Sequence, residues 1–288
     1  MPYGTRGAYA DPVHTSSRSL LLAAATVALA TACVSQDQET QIGEQESQQV
    51  DAKLPILRDD AVTSYVNALG NRIAAATSRA DLHWRFAVVN TDVVNAFALP
   101  GGYIYVNRGV LARASNESEL ASVLGHEIEH VVLRHSVKQV EHQQGAAIGV
   151  ALACRLTRVC DSQLGQAAIE VGGAAVFARF SRADEVQADE GGLQNVMRVG
   201  IDPRGMLTFF EKLVAEEHGA NGGLVASWFS DHPGTQDRIA DVRRLLAQVP
   251  QAQLDSTRRD SPEFQSMKQA LSQLPAAPAA PQVADTTR

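Results

Sequence analysis

The stretch Gly125-His126-Glu127-Ile128-Glu129-His130 carries two imidazoles four residues apart, with a carboxylate directly after the first. On a helix, residues four apart are offset by roughly 40° around the axis, so His126 and His130 project from one face at chelating distance. Glu127 flanks that face. Neutral imidazoles in this arrangement suit a zinc ion. A flanking carboxylate is placed to take a proton from a water activated there and pass it to a leaving amine. The implied chemistry is hydrolysis of a peptide bond, but a polar helix can carry the same residues by chance, so the surrounding sequence decides.

Immediately upstream, Asn116-Glu117-Ser118-Glu119 supplies an Asn cap, acidic residues in the first turn and a Glu three positions after the cap. Leu120, Val123, Leu124, Ile128, Val131 and Val132 then form an apolar stripe, and the helix is expected to run to about His142. A catalytic zinc site usually has three protein ligands and a water, so a third ligand must come from elsewhere. His135 lies five residues past His130, roughly 140° around a continuous helix, and on that geometry faces away. Glu185 and Asp189 stand four apart on the next expected helix, which Ser181-Arg182-Ala183-Asp184 opens. One of the two could reach the metal while the other steadies a ligand. By spacing alone, an acidic solvated face shared with Asp184 and Glu190 is the plainer reading.

Before the metal helix, a helical pattern from Asp59 or Asp60 to Ala76 is followed by three β-favouring runs around Trp84–Val89, Asn95–Leu99 and Tyr103–Val106. These are expected to form a small antiparallel sheet. The edge formed by Asn95, Ala96, Phe97 and Ala98 could hold an extended substrate by main-chain hydrogen bonds without demanding a particular side-chain sequence. After Gly200, Asp202-Pro203 opens another helix, and a turn at Asp231-His232-Pro233-Gly234 precedes one more amphipathic segment.

The chain has 288 residues, 45% of them hydrophobic and 20% charged, enough for one substantial core. A formal charge of −7 with no Lys/Arg cluster argues against a nucleic-acid partner. Arg18 and the apolar run Leu20–Ala30 fit a secretory signal, and Ala30-Thr31-Ala32-Cys33 resembles a lipobox with Ala30 where Leu is usual. Residues 1–32 are therefore expected to be a lipoprotein-type signal peptide, with Cys33 acylated. Residues 33–54, rich in Gln, Glu, Ser and Asp, read as a flexible tether. Gly145–Ala178 is small and apolar but interrupted by charges, which suggests a close-packed helical hairpin; Cys154 and Cys160 near its turn could form a disulfide in an oxidising compartment. Residues 251–288 read as a C-terminal extension, disordered from about 274, where Pro-Ala repeats begin. There are no tandem helical repeats.

Four separated motifs carry a resemblance. They are Asn95-Ala96-Phe97-Ala98-Leu99-Pro100-Gly101-Gly102, the His126–His130 helix continuing to Arg134-His135-Ser136, Ser181–Asp189, and His232-Pro233 with Arg238. Their order and spacing resemble the HtpX and CAAX-prenyl-protease type of zinc endopeptidase, over roughly residues 55–250. The soluble bacterial lipoprotein branch is the nearest in character. The resemblance implies an α+β fold, a mainly helical zincin-like domain with the small sheet beside the metal helix. It implies one Zn²⁺ per chain, held by His126, His130 and Glu185, with Glu127 as general base. Asp189 and Arg238 become supports for the ligands, and His232 an oxyanion donor or a latch.

The function expected is cleavage of unfolded or misassembled envelope proteins in the periplasm, from an outer-membrane anchor at Cys33. A latent or non-cleaving assembly factor that binds clients at the same edge is the alternative. Oligomeric state is not legible.

Overall fold

The computed structural model describes residues 34–141, 180–220 and 222–278. The expected signal peptide, Cys33, the 145–178 hairpin with Cys154 and Cys160, and the tail beyond 278 lie outside the described residues. No described helix is long and apolar enough to cross a membrane.

The fold is α+β and mainly helical. Strands β1 (Arg85–Val89), β2 (Ala96–Leu99) and β3 (Tyr103–Asn107) form one sheet in the order β1-β3-β2. β2 pairs antiparallel with β3 through the tight turn Pro100–Gly102, where Gly101 takes φ 76° and Gly102 φ 101°. β1 pairs parallel with β3, so the sheet is mixed where the sequence suggested an antiparallel one. The chain leaves β1, returns as β2 two strand spacings away, and β3 then inserts between them. Alternating apolar residues specify which side of each strand is buried but not which neighbour it takes.

Helix α1 (Gln36–Lys53) stands where a tether was expected. Ser35 caps it, accepting from Gln38 N while Gln38 reaches back to Ser35 N. Its buried residues are Glu39, Gly43, Ser47 and Val50, a helical stripe made mostly of small and polar side chains. Gly43 lies so close to the Pro100 carbonyl that a Cβ would sit 1.8 Å from that oxygen, so only glycine lets α1 lie on the β2–β3 turn. Val50 completes a small core with Ala87, Val89, Leu99 and Tyr105 on one face of the sheet.

The other sheet face, with Phe86, Val88, Ala96, Ala98, Ile104 and Val106, joins the main core. Against it pack α2 (Asp60–Ala74), the short α3 (Arg108–Arg113) and α4 (Glu117–Val132). Around α4 lie α5 (Arg182–Arg198), α6 (Arg204–Glu217), α7 (Gly222–Asp231) and α8 (Thr235–Gln248), followed by α9 (Gln251–Asp255) and α10 (Pro262–Gln273). The segment expected to be an extension past 250 is thus part of the domain. Phe264, Met267 and Leu271 of α10 are core residues. Arg259 O accepts from Ser118 N, and Asp260 accepts from Glu117 N, so this segment also satisfies the first turn of α4.

Helices α4 and α5 approach closely, crossing at Gly125 and Gly192. A Cβ on Gly192 would lie 3.0 Å from His126 N, and one on Gly125 would lie 2.9 Å from a Val196 methyl. This approach brings the carboxylates of α5 onto the histidine face of α4.

Candidate metal centre

Every residue of α4 from Glu117 to Val131 is buried, including the polar ones. Buried polar groups are costly without partners, so each must be accounted for. Asn116 caps the helix by accepting from Glu119 N, while the Glu119 carboxylate accepts from Ser115 N and Lys212. Glu117 pairs with Arg72 and Arg258. Glu129 accepts from Asn195 at 2.7 Å. Ser118 donates to Asn116 Oδ1 and Ser122 to the Ser118 carbonyl, which leaves His126, Glu127 and His130.

His126 Nε2 and His130 Nε2 are 3.0 Å apart. Glu185 reaches both, Oε2 at 3.4 Å from His126 Nε2 and Oε1 at 3.4 Å from His130 Nε2. His232 follows α7 and brings Nδ1 to 3.3 Å from Glu185 Oε2. One ligand atom from each of His126, His130, Glu185 and His232 lies within 4.8 Å of all the others, and all four residues are buried. The spacing-based expectation that Glu185 could lie on a solvated face is thereby overturned.

The far sides of these side chains are held in place. Asp189 Oδ1 accepts from His126 Nδ1 at 2.9 Å. Arg238, 2% exposed, donates from Nε and Nη2 to the two Asp189 oxygens at 2.7 and 2.6 Å, and from Nη1 to Glu185. Its guanidinium lies over the Phe210 ring, 4.7 Å from the centroid. Trp228 of α7 lies tilted against His232 at 4.5 Å between centroids, and Phe180 stacks on His130 at 3.9 Å.

Sequence reasoning missed His135. α4 ends at Val132, Arg134 takes φ 58°, and helical structure resumes over 135–141. The helix therefore does not run unbroken toward His142. The break turns His135 back, so that its Nδ1 sits 2.9 Å from His130 Nδ1. No glycine or proline marks the turn, and a helical wheel drawn through it points the residue the wrong way. Helix α7 and its Trp228 were also unread.

The edge strand abuts the cluster. Asn107 N donates to the directly opposite Asn95 O, which makes 95:107, 97:105 and 99:103 the hydrogen-bonded pairs. The main-chain groups of Ala96 and Ala98 therefore point away from β3. Ala96 O faces His232 Nε2 at 3.3 Å. Asn95 lies just before the strand, its side chain donating to Asp231 at 2.8 Å, and Phe97 stacks on Tyr105 on the opposite sheet face.

The residues fit a divalent cation on three counts. Both oxygens of Glu127 and Oε1 of Glu185 are buried with no hydrogen-bond partner. Glu127, Glu185 and Asp189 surround one guanidinium, that of Arg238, so the remaining positive charge must come from the histidines or from a bound cation. The electrostatics agree. Burial works against charge on His126, yet Asp189 and Glu185 raise its pKa to about 9, so the pocket favours a cation at that point. Burial pushes His130 down to about 3, leaving it a neutral donor. Glu185 is held well below the carboxylate range: burial opposes this, but His232, His126 and His130 outweigh it. Burial pushes Glu127 up, as suits a proton acceptor. Imidazole and carboxylate donors are those zinc takes.

Comparison with known proteins agrees with this geometry. The model of Peptidase family M48 matches residues 60–246. The beta-barrel assembly-enhancing protease of Yersinia pestis is 34% identical over 227 residues, 76% of this chain and 46% of that protein. Its Escherichia coli counterpart is 33% identical over 219 residues, 74% and 44% respectively. Thus the chain spans less than half the length of these relatives. Metalloprotease LoiP of Escherichia coli is 31% identical over 236 residues, which cover 79% of this chain and 88% of that protein. With the family match spanning well over half its length and the buried histidine–glutamate cluster at its centre, the chain belongs to Peptidase family M48.

Proposed function

We propose that this chain is a zinc-dependent endopeptidase that cuts unfolded or misassembled cell-envelope proteins in the periplasm. The observation that carries the proposal is Glu127: a fully buried carboxylate beside the ligand cluster, with neither oxygen hydrogen-bonded and His232 Nε2 3.6 Å from Oε1. A buried carboxylate left without a hydrogen bond is costly in a purely structural helix. His126, His130 and Glu185 would hold zinc, which supplies Lewis acidity toward a scissile carbonyl and toward the attacking water. Glu127 then accepts the water's proton and returns it to the leaving amine. Asp189 keeps the His126 ring in the tautomer whose Nε2 faces the cluster, and Arg238 holds Asp189 and Glu185 in register. The outward main-chain groups of Ala96 and Ala98, flanked by Asn95 and Phe97, offer an extended substrate a strand to pair with, next to the reacting bond.

The envelope setting is supported by the signal-like segment before Cys33 and by relatives whose names concern β-barrel assembly. In this reading Cys33 is acylated and holds the domain at the outer membrane, and Cys154 pairs with Cys160. Intact mass with and without reductant checks both. Hydrolysis itself is tested with the purified mature protein and casein: cleavage should stop on chelation and return with zinc. Failure of zinc to restore it would remove the metal from the proposal.

A second reading has its own observation. His232 lies among the ligand atoms, and four protein donors make a closed site of the structural kind, with no open position. Catalysis then needs His232 to withdraw, so the resting protein is latent and can hold clients at the β2 edge without cutting them.

A further inference from the structure

His135 is a buried imidazole to which the proposed reaction gives no part. It is 1% exposed, and its two ring nitrogens are both engaged. Nδ1 meets His130 Nδ1 at 2.9 Å, while Nε2 faces Gln187 Oε1 at 3.4 Å and Asp184 Oδ1 at 3.5 Å. Because His130 Nε2 points at the ligand cluster, its proton must reside on Nδ1 when it serves as a donor to a metal. Two facing nitrogens at this distance can share only one proton. His130 therefore donates, His135 accepts at Nδ1, and the His135 proton sits on Nε2, toward Gln187 and Asp184. Both of these acceptors lie on the first turns of α5, the helix that also provides Glu185.

The backbone that makes this contact is also fixed by ionic groups. Arg134 is the only non-glycine residue with positive φ among the described residues, and its Nε donates to Glu39 at 2.9 Å. Glu39 is 1% exposed and accepts as well from Arg79 at 2.7 and 3.1 Å and from Gly101 N at 3.3 Å. Helix α1 thus clamps the break that presents His135, through the same carboxylate that touches the turn behind the edge strand.

We infer that His135 is a positioning residue that fixes the tautomer and ring orientation of His130, in a chain Asp184/Gln187–His135–His130 seated by the Glu39–Arg134 contact. The inference rests on His130 being a zinc ligand, as proposed above.

The test is zinc binding, read independently of peptidase activity. Parent, His135→Leu and His135→Asn proteins are stripped and titrated with zinc against a chromophoric chelator, and the cobalt-loaded forms are compared by visible absorption. Loss of an outer hydrogen bond of this kind costs about 10- to 100-fold in metal affinity, so His135→Leu should bind zinc that much more weakly and shift the cobalt bands. His135→Asn keeps an acceptor and should recover most of the affinity. His135→Leu binding as tightly as the parent, with unchanged bands, would overturn the inference while leaving the proposed zinc site intact. A parent that holds no zinc would overturn both. Should the variants fail to fold, ¹⁵N NMR of the zinc-loaded parent decides: the expected result is a proton on His130 Nδ1 and on His135 Nε2, and a His135 protonated at Nδ1 overturns the inference.

Discussion

Replacing Arg238 by Met keeps much of the side-chain volume and removes the guanidinium buried among Glu127, Glu185 and Asp189. Arg238 makes a two-pronged bond to Asp189, at 2.7 and 2.6 Å, and a third to Glu185, all shielded from water. Breaking a buried ion pair by deleting one partner typically costs about 3–5 kcal/mol, because the other charge stays buried. For a domain of this size each kcal/mol moves the melting temperature by about 2–4 °C, so a fall of about 6–20 °C is expected. The loss should be larger after chelation, since zinc offsets two of the negative charges and the guanidinium the third. Arg238→Lys restores a charge but cannot make the fork, and should fall between parent and Arg238→Met. Urea unfolding followed by tryptophan fluorescence suits the question, because Trp228 is fully buried beside His232. Arg238→Met proteins within about 1 kcal/mol of the parent, with and without zinc, would refute the charge balance assigned to the site.

Three further outcomes follow from the same contacts. If the open site is a minor state of roughly 0.1–10%, His232→Ala should raise casein cleavage about tenfold or more; an unchanged rate contradicts the latch, and a lost rate assigns His232 to the oxyanion instead. Ala98→Pro removes an outward N–H from the β2 edge and should raise KM several-fold while zinc content stays at the parent level; an unaltered KM would remove substrate pairing from the account. Phe264→Ala should cost about 3–5 kcal/mol in urea unfolding, because α10 belongs to the main core; a loss below about 1 kcal/mol would make residues 251–273 the separable extension the composition suggested.

Legibility in the sequence followed the kind of contact involved. His126 and His130 were readable because four-residue spacing on a capped, striped helix fixes a shared face without help from the rest of the chain. Glu185, Asp189, His232 and Arg238 depend on how α5 and α8 are set against α4. Spacing offered Glu185 and Asp189 without deciding for them, only the resemblance to family motifs marked His232 and Arg238, and the Gly125–Gly192 approach explains why the α5 carboxylates reach the histidines. Helix α1 was invisible to hydrophobic periodicity because its inward stripe is Glu39, Gly43 and Ser47, joined only at the end by Val50. Its fit depends on a missing Cβ and an ion cluster. His135 was misplaced because a single residue, Arg134, leaves the helical region, and nothing in its local sequence announces that.

Glu127→Gln tests the central claim most directly, since it removes the proton acceptor and leaves the ligand set intact. The variant should hold about one zinc per chain, melt at or above the parent's temperature because a buried carboxylate without a hydrogen bond is gone, and lose casein hydrolysis by at least about 100-fold. Hydrolysis at the parent rate by the zinc-loaded variant would contradict the account.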